Sequence, residues 1–177
     1  MRRWARTAGT VSLWASLALG VAVSAGGELR LREPGETLPP MTLYDLDGRP
    51  HTLAPGGGEV PMLLFFWSVS CPDCREAMPG LAAFHTSEQS RGVLVWAINV
   101  NGQPFSNSVR AYATDMELPF PVLYDRLEGD SLVAADPLGV SRTPTLYLAG
   151  ADGKIVLRQV IRLDLEAVAR AVSVLAR

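Results

Sequence analysis

Two apolar runs of strand length, Val60 to Trp67 and Val93 to Val100, stand out along the chain because neither alternates with polar residues. Such runs suit strands buried on both faces, in the middle of a sheet. Between them the period changes. Met78, Leu81 and Phe84 recur at helical spacing while Arg75 and Glu76 fall elsewhere, which predicts a helix from the Cys71 region to about Phe84. Pro72 is acceptable there, since a first-turn residue needs no N–H donor. Upstream, Met41 to Leu43 and His51 to Leu53 read as short strands about the turn Asp45-Leu46-Asp47-Gly48, followed by a Gly56-Gly57-Gly58 loop. Downstream, the polar Asn101-Gly102-Gln103-Pro104 leads into a helix from Phe105 to about Met116. Pro119 and Pro121 then precede a short strand, Val122 to Tyr124, and residues 126–140 are weakly helical around Leu132 to Ala135. Thr145 to Leu148 and Ile155 to Ile161 pair across Ala151-Asp152-Gly153, and Leu163 to Leu175 forms a terminal helix. This order implies an α/β fold with a mixed central β-sheet flanked by helices.

The ends of the chain differ in charge. Arg2, Arg3 and Arg6 precede a stretch from Thr7 to Gly27 without a charged residue, and the first acid is Glu28. A basic start, an apolar centre and the small residues Val23-Ser24-Ala25 form the pattern of a secretory signal, with cleavage after Ala25. An uncleaved membrane anchor is the alternative, since the length suffices to span a bilayer; Ser12, Ser16, Gly20 and Ser24 dilute its apolar character. No cysteine lies at the junction, so a lipoprotein is excluded, and Trp4-Ala5-Arg6 fits a twin-arginine signal poorly. The organisation is therefore a signal segment over residues 1–25, a proline-containing lead-in arm over 26–40, and one domain over 41–177. Without the first segment, 13 basic residues face 18 acidic ones, a net charge of −5 instead of −2. An exported domain that is mildly acidic has no footprint for nucleic acid.

The chain's two cysteines, Cys71 and Cys74, are spaced C-x-x-C where a strand meets a helix. Two cysteines exclude a disulfide scaffold, and a ring enclosing two residues restrains little of the unfolded chain. Position carries the chemistry. At a helix N-terminus, unpaired N–H groups and the macrodipole stabilise a thiolate, which makes Cys71 the natural nucleophile. Cys74, one turn in and on the same face, is placed to attack a mixed disulfide at Cys71 and release the partner. A zinc site would need Cys71, Cys74, His51 and His85 together, and the compact H-x-x-x-H half is missing. His85 as a catalytic base fails on distance, because it lies 14 residues beyond Cys71, and at ~1.5 Å per residue that is roughly 20 Å along a helix. It reads as a surface or helix-end residue.

These residues resemble the thioredoxin superfamily and, more narrowly, the TlpA/ResA-like exported thiol–disulfide oxidoreductases. The carriers are Phe66-Trp67-Ser68-Val69-Ser70-Cys71-Pro72-Asp73-Cys74-Arg75 with Met78-Pro79, then Thr143-Pro144-Thr145 before a strand, and the Asp152-Gly153-Lys154 turn. Leu38-Pro39 through Asp47-Gly48 and Phe120-Pro121-Val122 also fit. The resemblance implies a thioredoxin-like fold with an N-terminal β extension and an insertion between the C-x-x-C helix and the Pro144 loop. It further implies a cis peptide between Thr143 and Pro144, packed against the cysteines, with the Thr143 backbone free to pair with an extended substrate. Trp67, Pro72 and Asp73 surround the site.

Two departures from the family matter. The buried acid six residues before the first cysteine is Phe65 here, and the glutamate three after the second is Ala77. Glu76 stands one position early, about 100° away around a helix, so the usual proton acceptor for Cys74 is missing. Asp73 places negative charge near the Cys71 thiolate, which disfavours the reduced form and makes the pair more reducing, with Arg75 in partial opposition. The resulting expectation is an exported, monomeric reductase without a cofactor beyond its own redox-active disulfide. It would act in the periplasm or on the outer face of the cytoplasmic membrane on disulfides of other exported proteins, and draw electrons from a membrane thiol reductase. By resemblance, apocytochrome c and copper-centre assembly proteins are candidate clients. A Cu(I)-handling thiol protein and a disulfide donor are the alternatives.

Overall fold

The computed structural model describes residues 30–54 and 60–175. The signal segment and the Gly56-Gly57-Gly58 loop lie outside the described residues. In chain order the strands are β1 (Met41–Asp45), β2 (Pro50–Leu53), β3 (Met62–Trp67), β4 (Leu94–Asn99), β5 (Val122–Tyr124), β6 (Leu127–Glu128), β7 (Ser131–Leu132), β8 (Thr145–Ala149) and β9 (Ile155–Val160). The helices are α1 (Pro72–Glu88), α2 (Ser106–Asp115) and α3 (Leu165–Leu175). Seven strands form one sheet in the order β2-β1-β5-β4-β3-β8-β9, while β6 and β7 make a separate hairpin. β3, β4 and β5 are parallel neighbours; β1 and β8 flank them in the opposite sense.

The two non-alternating runs are the central strands β3 and β4. Along β3, Leu63, Phe65 and Trp67 face one core with Met78, Leu81 and Phe84 of α1, Val109 of α2, and Val168 and Val172 of α3. The intervening Leu64 and Phe66 face a second core with Ile98, Leu138 and Tyr147. All three helices thus cover one side of the sheet. The other side is closed by the lead-in arm, through Leu38, and by residues 134–140. Successive side chains of a strand point to opposite faces, so both must be apolar when both faces are covered.

Two expectations need correction. Residues 126–140 are not helical: they form the β6–β7 hairpin, with Gly129 at φ +65°, and then a series of turns. The cause is local. Asp125 accepts the N–H groups of Ala134 and Ala135 at 2.9 and 2.8 Å, and Asp136 accepts that of Leu132 at 2.8 Å. Carboxylates thereby take the donors that a helix would have used. The helix expected to end near Phe84 continues to Glu88 and through a 3-10 turn at Gln89–Arg91 to Gly92, whose φ is +71°. His85 sits in the last turn of α1, at the helix end as expected, with its ring half-buried and edge-on to Phe120, centroids 5.6 Å apart.

The lead-in arm is ordered by backbone bonds to two places. Arg32 N–H reaches the Leu138 carbonyl at 3.1 Å, and Gly35, Glu36 and Leu38 bond to the Gly153–Ile155 backbone at 2.7–3.0 Å. Gly139 lies beneath the start of the arm at φ +67°, and a Cβ there would collide with the Arg30 carbonyl group and the Leu31 nitrogen. Among the described residues no helix is long and apolar enough to cross a membrane.

Candidate active site

The polypeptide leaves β3 at Trp67, crosses Ser68-Val69-Ser70, and enters α1 at Cys71. Cys71 is the N-cap residue, with φ −89° and ψ 111°, and Pro72 occupies the first turn. The Cys74 N–H, one of the donors that a helix start leaves unpaired, points at the Cys71 sulfur at 3.1 Å. Cys71 and Cys74 form a disulfide, with Cα atoms 5.2 Å apart. Their exposures differ: Cys74 is fully buried and Cys71 only half-buried.

The distant Thr-Pro-Thr meets this pair. The Thr143–Pro144 bond is cis, and the Thr143 carbonyl oxygen lies 3.5 Å from Cys71 Sγ across 72 residues of sequence. Pro144 is buried, and its carbonyl accepts the Ile161 N–H at 2.7 Å, which ties the loop to the end of β9. Thr145 adds a bond from its hydroxyl to the Arg142 carbonyl at 2.7 Å. Four of the residues predicted for the site, Cys71, Cys74, Thr143 and Pro144, are therefore in one place.

The other three surround them differently. Trp67 is fully buried and supports the pair from below, its ring 5.3 Å from that of Tyr112 on α2. Pro72 and Asp73 are exposed on the first turn of α1. Asp73, Glu76 and Ala77 line a surface groove together with Ile161, Arg162 and Leu163. Glu76 is exposed, as its position on the helix requires, and Phe65 is sealed in the core. Burial pushes the Tyr112 phenol up from its ordinary value, and the Arg75 guanidinium opposes this. Among the described residues no three His, Cys, Asp or Glu side chains converge as a metal site. His51 bonds Asp45 at 3.0 Å and packs edge-on to Trp96 instead of approaching the cysteines.

A family model for AhpC/TSA proteins matches residues 34–158 and so spans both the C-x-x-C and the Pro144 loop. The chain belongs to the AhpC/TSA family. Within this thioredoxin-like AhpC/TSA family, the chain is 36% identical over 121 residues to the thiol-disulfide oxidoreductase ResA of Geobacillus thermodenitrificans. That match covers 68% of this chain and 66% of the relative. It is 31% identical to the thioredoxin-like protein YneN of Bacillus subtilis, over 70% of this chain and 69% of that one. Among solved structures, a putative thiol:disulfide interchange protein DsbE from Chlorobium tepidum superposes with a TM-score of 0.69 at 21% identity, covering 84% of this chain and all of that one. A putative thioredoxin from Neisseria meningitidis gives 0.65 at 30% identity, covering 79% and 89%. The expected thioredoxin-like fold and the enzyme class, thiol–disulfide oxidoreductase, both stand.

Three polar residues behind the cysteines, Ser68, Asn99 and Asn101, were not among the expected site residues. One signal for them was available. Asn99 is the lone amide inside the otherwise apolar run Val93 to Val100, and a polar side chain at a buried strand position must find partners.

Proposed function

We propose that this AhpC/TSA-family protein is an exported reductase of disulfides in other exported proteins, with Cys71 as attacking thiol and Cys74 as resolving thiol. The observation that carries it is the unequal placement of the two sulfurs: Cys71 half-buried at the helix start beside the Thr143 carbonyl, Cys74 enclosed one turn in. In the reduced protein the Cys71 thiolate attacks one sulfur of a client disulfide, forms a mixed disulfide, and expels the client's first thiolate. Deprotonated Cys74 then attacks Cys71 Sγ and expels the second. The client gains two electrons and the enzyme closes the Cys71–Cys74 bond. A membrane thiol reductase is the donor that reopens it.

Direction is argued from charge. Asp73, exposed in the first turn, forms no ion pair within 4.0 Å among the described residues, so its charge acts on Cys71 with Arg75 only in partial opposition. A destabilised thiolate disfavours the dithiol state and favours giving electrons away. Export rests on the basic-apolar start of the sequence, and one solved relative, at 20% identity, is described as a secreted disulfide oxidoreductase of Mycobacterium tuberculosis. Apocytochrome c and copper-centre assembly proteins are the client classes put forward.

The test is equilibration of the protein with glutathione or dithiothreitol mixtures, repeated with Cu(I). A low midpoint with negligible copper affinity supports the reductase. A midpoint near that of a strong oxidant, or tight Cu(I) binding that Cys71→Ser abolishes, overturns it. Cys74→Ser is expected to trap mixed disulfides with clients while Cys71→Ser does not; equal adducts from both would count against the role assignment.

A further inference from the structure

Asn99 is fully buried near the end of β4. Its Nδ2 donates to Asn101 Oδ1 at 3.0 Å, and its Oδ1 accepts the Asn101 N–H at 3.0 Å. Held this way, Asn101 reaches across to the segment that joins β3 to Cys71. Its Oδ1 accepts the Val69 N–H at 2.9 Å and its Nδ2 donates to Ser68 Oγ at 3.0 Å. The orientation of the carboxamide follows from chemistry: a backbone N–H only donates, so the oxygen must face Val69. Ser68 Oγ also accepts the Ser70 N–H at 3.2 Å, which fills both its acceptor positions. Its own hydrogen therefore goes to Ser70 Oγ, 2.8 Å away. The Ser68 carbonyl accepts the Cys71 N–H at 3.2 Å. Every backbone N–H from Val69 to Cys71 is thus bound by Asn101 or Ser68.

We propose that Asn101, braced by Asn99 and acting through Ser68, is a positioning residue for thiol–disulfide exchange. It holds the 68–70 segment so that Cys71 keeps the N-cap geometry in which the Cys74 N–H meets its sulfur. This deepens the reading above and rests on Cys71 being the attacking thiol. The field of a helix terminus falls off within one turn, so a small rotation of residue 71 removes much of the stabilisation of its thiolate. None of the three network side chains titrates near neutral pH, and cutting the network removes none of the charged groups around the site: Asp73, Arg75 and Glu76 on α1, Arg142 before Thr143 and Arg162 after β9. A change in Cys71 acidity then reports its position.

The experiment measures iodoacetamide alkylation of the reduced full chain against pH, with the modified cysteine located by peptide mapping and thermal stability recorded alongside. Asn101→Ala is expected to move the Cys71 titration up by about one pH unit, a roughly tenfold slower alkylation below it, and to shift the glutathione equilibrium toward the disulfide. Ser68→Ala moves both the same way and carries the test if Asn101→Ala does not fold; Ser68→Thr, which keeps the hydroxyl, restores the wild-type titration. Variants that melt earlier yet keep the wild-type Cys71 titration and glutathione equilibrium overturn the proposal and leave the network a structural brace. First alkylation at Cys74 in the wild type is a different failure, that of the thiol assignment itself.

Discussion

Gly139→Ala tests whether the lead-in arm is a built part of the domain. Gly139 is at φ +67°, and a left-handed conformation costs an L-residue about 1–2 kcal/mol. The added Cβ also meets the backbone of Arg30 and Leu31, which no side-chain rotation relieves. The arm must lift there, and the bonds from Arg32 N–H and Nε to the carbonyls of Leu138 and Pro137, both 3.1 Å, are lost. At ~0.5–1.5 kcal/mol for each bond, the total loss is about 2–5 kcal/mol. Gly129→Ala is the control, because φ there is +65° with nothing within 4 Å of the added atom. It should lose only the conformational part. The difference between the variants, about 1–3 kcal/mol, isolates arm contact. For a urea slope of ~1–3 kcal/mol/M it appears as a midpoint about 1 M lower. Equal urea midpoints for the two variants would refute the reasoning.

Further outcomes follow from other buried groups. Asp125→Ala leaves the N–H groups of Ala134 and Ala135 without their acceptor; with ~1–3 kcal/mol for each orphaned donor, the urea midpoint falls, and a change under a tenth of the total stability would show that the turns hold themselves. Tyr147 donates to the Leu138 carbonyl at 2.8 Å, and burial pushes its phenol up to about 12 from 10.0. The folded state therefore retains a proton that the unfolded chain releases, and stability falls as pH rises from 10 toward 12; Tyr147→Phe should flatten this alkaline slope in pH-dependent denaturation. Glu36 has its carboxyl held below the ordinary range by the Glu33 N–H, then by Arg30, with burial opposing. Its contribution is present above 4.5 and lost as pH falls through the lower folded value, so Glu36→Gln should resemble the acid-treated wild type in arm proteolysis and show no further acid-induced step. Glu76→Gln should leave the exchange rate and its pH profile unchanged; a fall in rate would make Glu76 the proton acceptor for Cys74.

The parts legible in the sequence are those set by period and by helix-start chemistry. β3 and β4 appear as non-alternating runs because both faces of the sheet are covered, and Cys71 was placed at the start of α1 because strand and helix patterns change there. The hairpin at residues 126–140 was not legible: Leu132 to Ala135 have apolar helix formers, and only the folded chain brings the Asp125 and Asp136 carboxylates to their N–H groups. The side-chain network behind Cys71 spans 32–33 positions, from Val69 and Ser68 to Asn101, and such pairings leave no local period. The cover over the His85 ring was not legible for a related reason. Its partner Phe120 arrives from a separate segment, after α2, so the ring is covered by residues remote in sequence.

The outermost strand β9 has one side paired to β8 and the other turned outward. A bare strand edge is a template on which another chain can continue the sheet. Here the bonds from Gly35, Leu38 and the Thr37–Lys154 bridge occupy the beginning of that edge, and Arg158 further along is tied to Glu33 at 2.7 Å. The arm thus serves as a stopper for sheet growth, and a chain cut before Pro40 would bare that edge as a surface on which copies can stack.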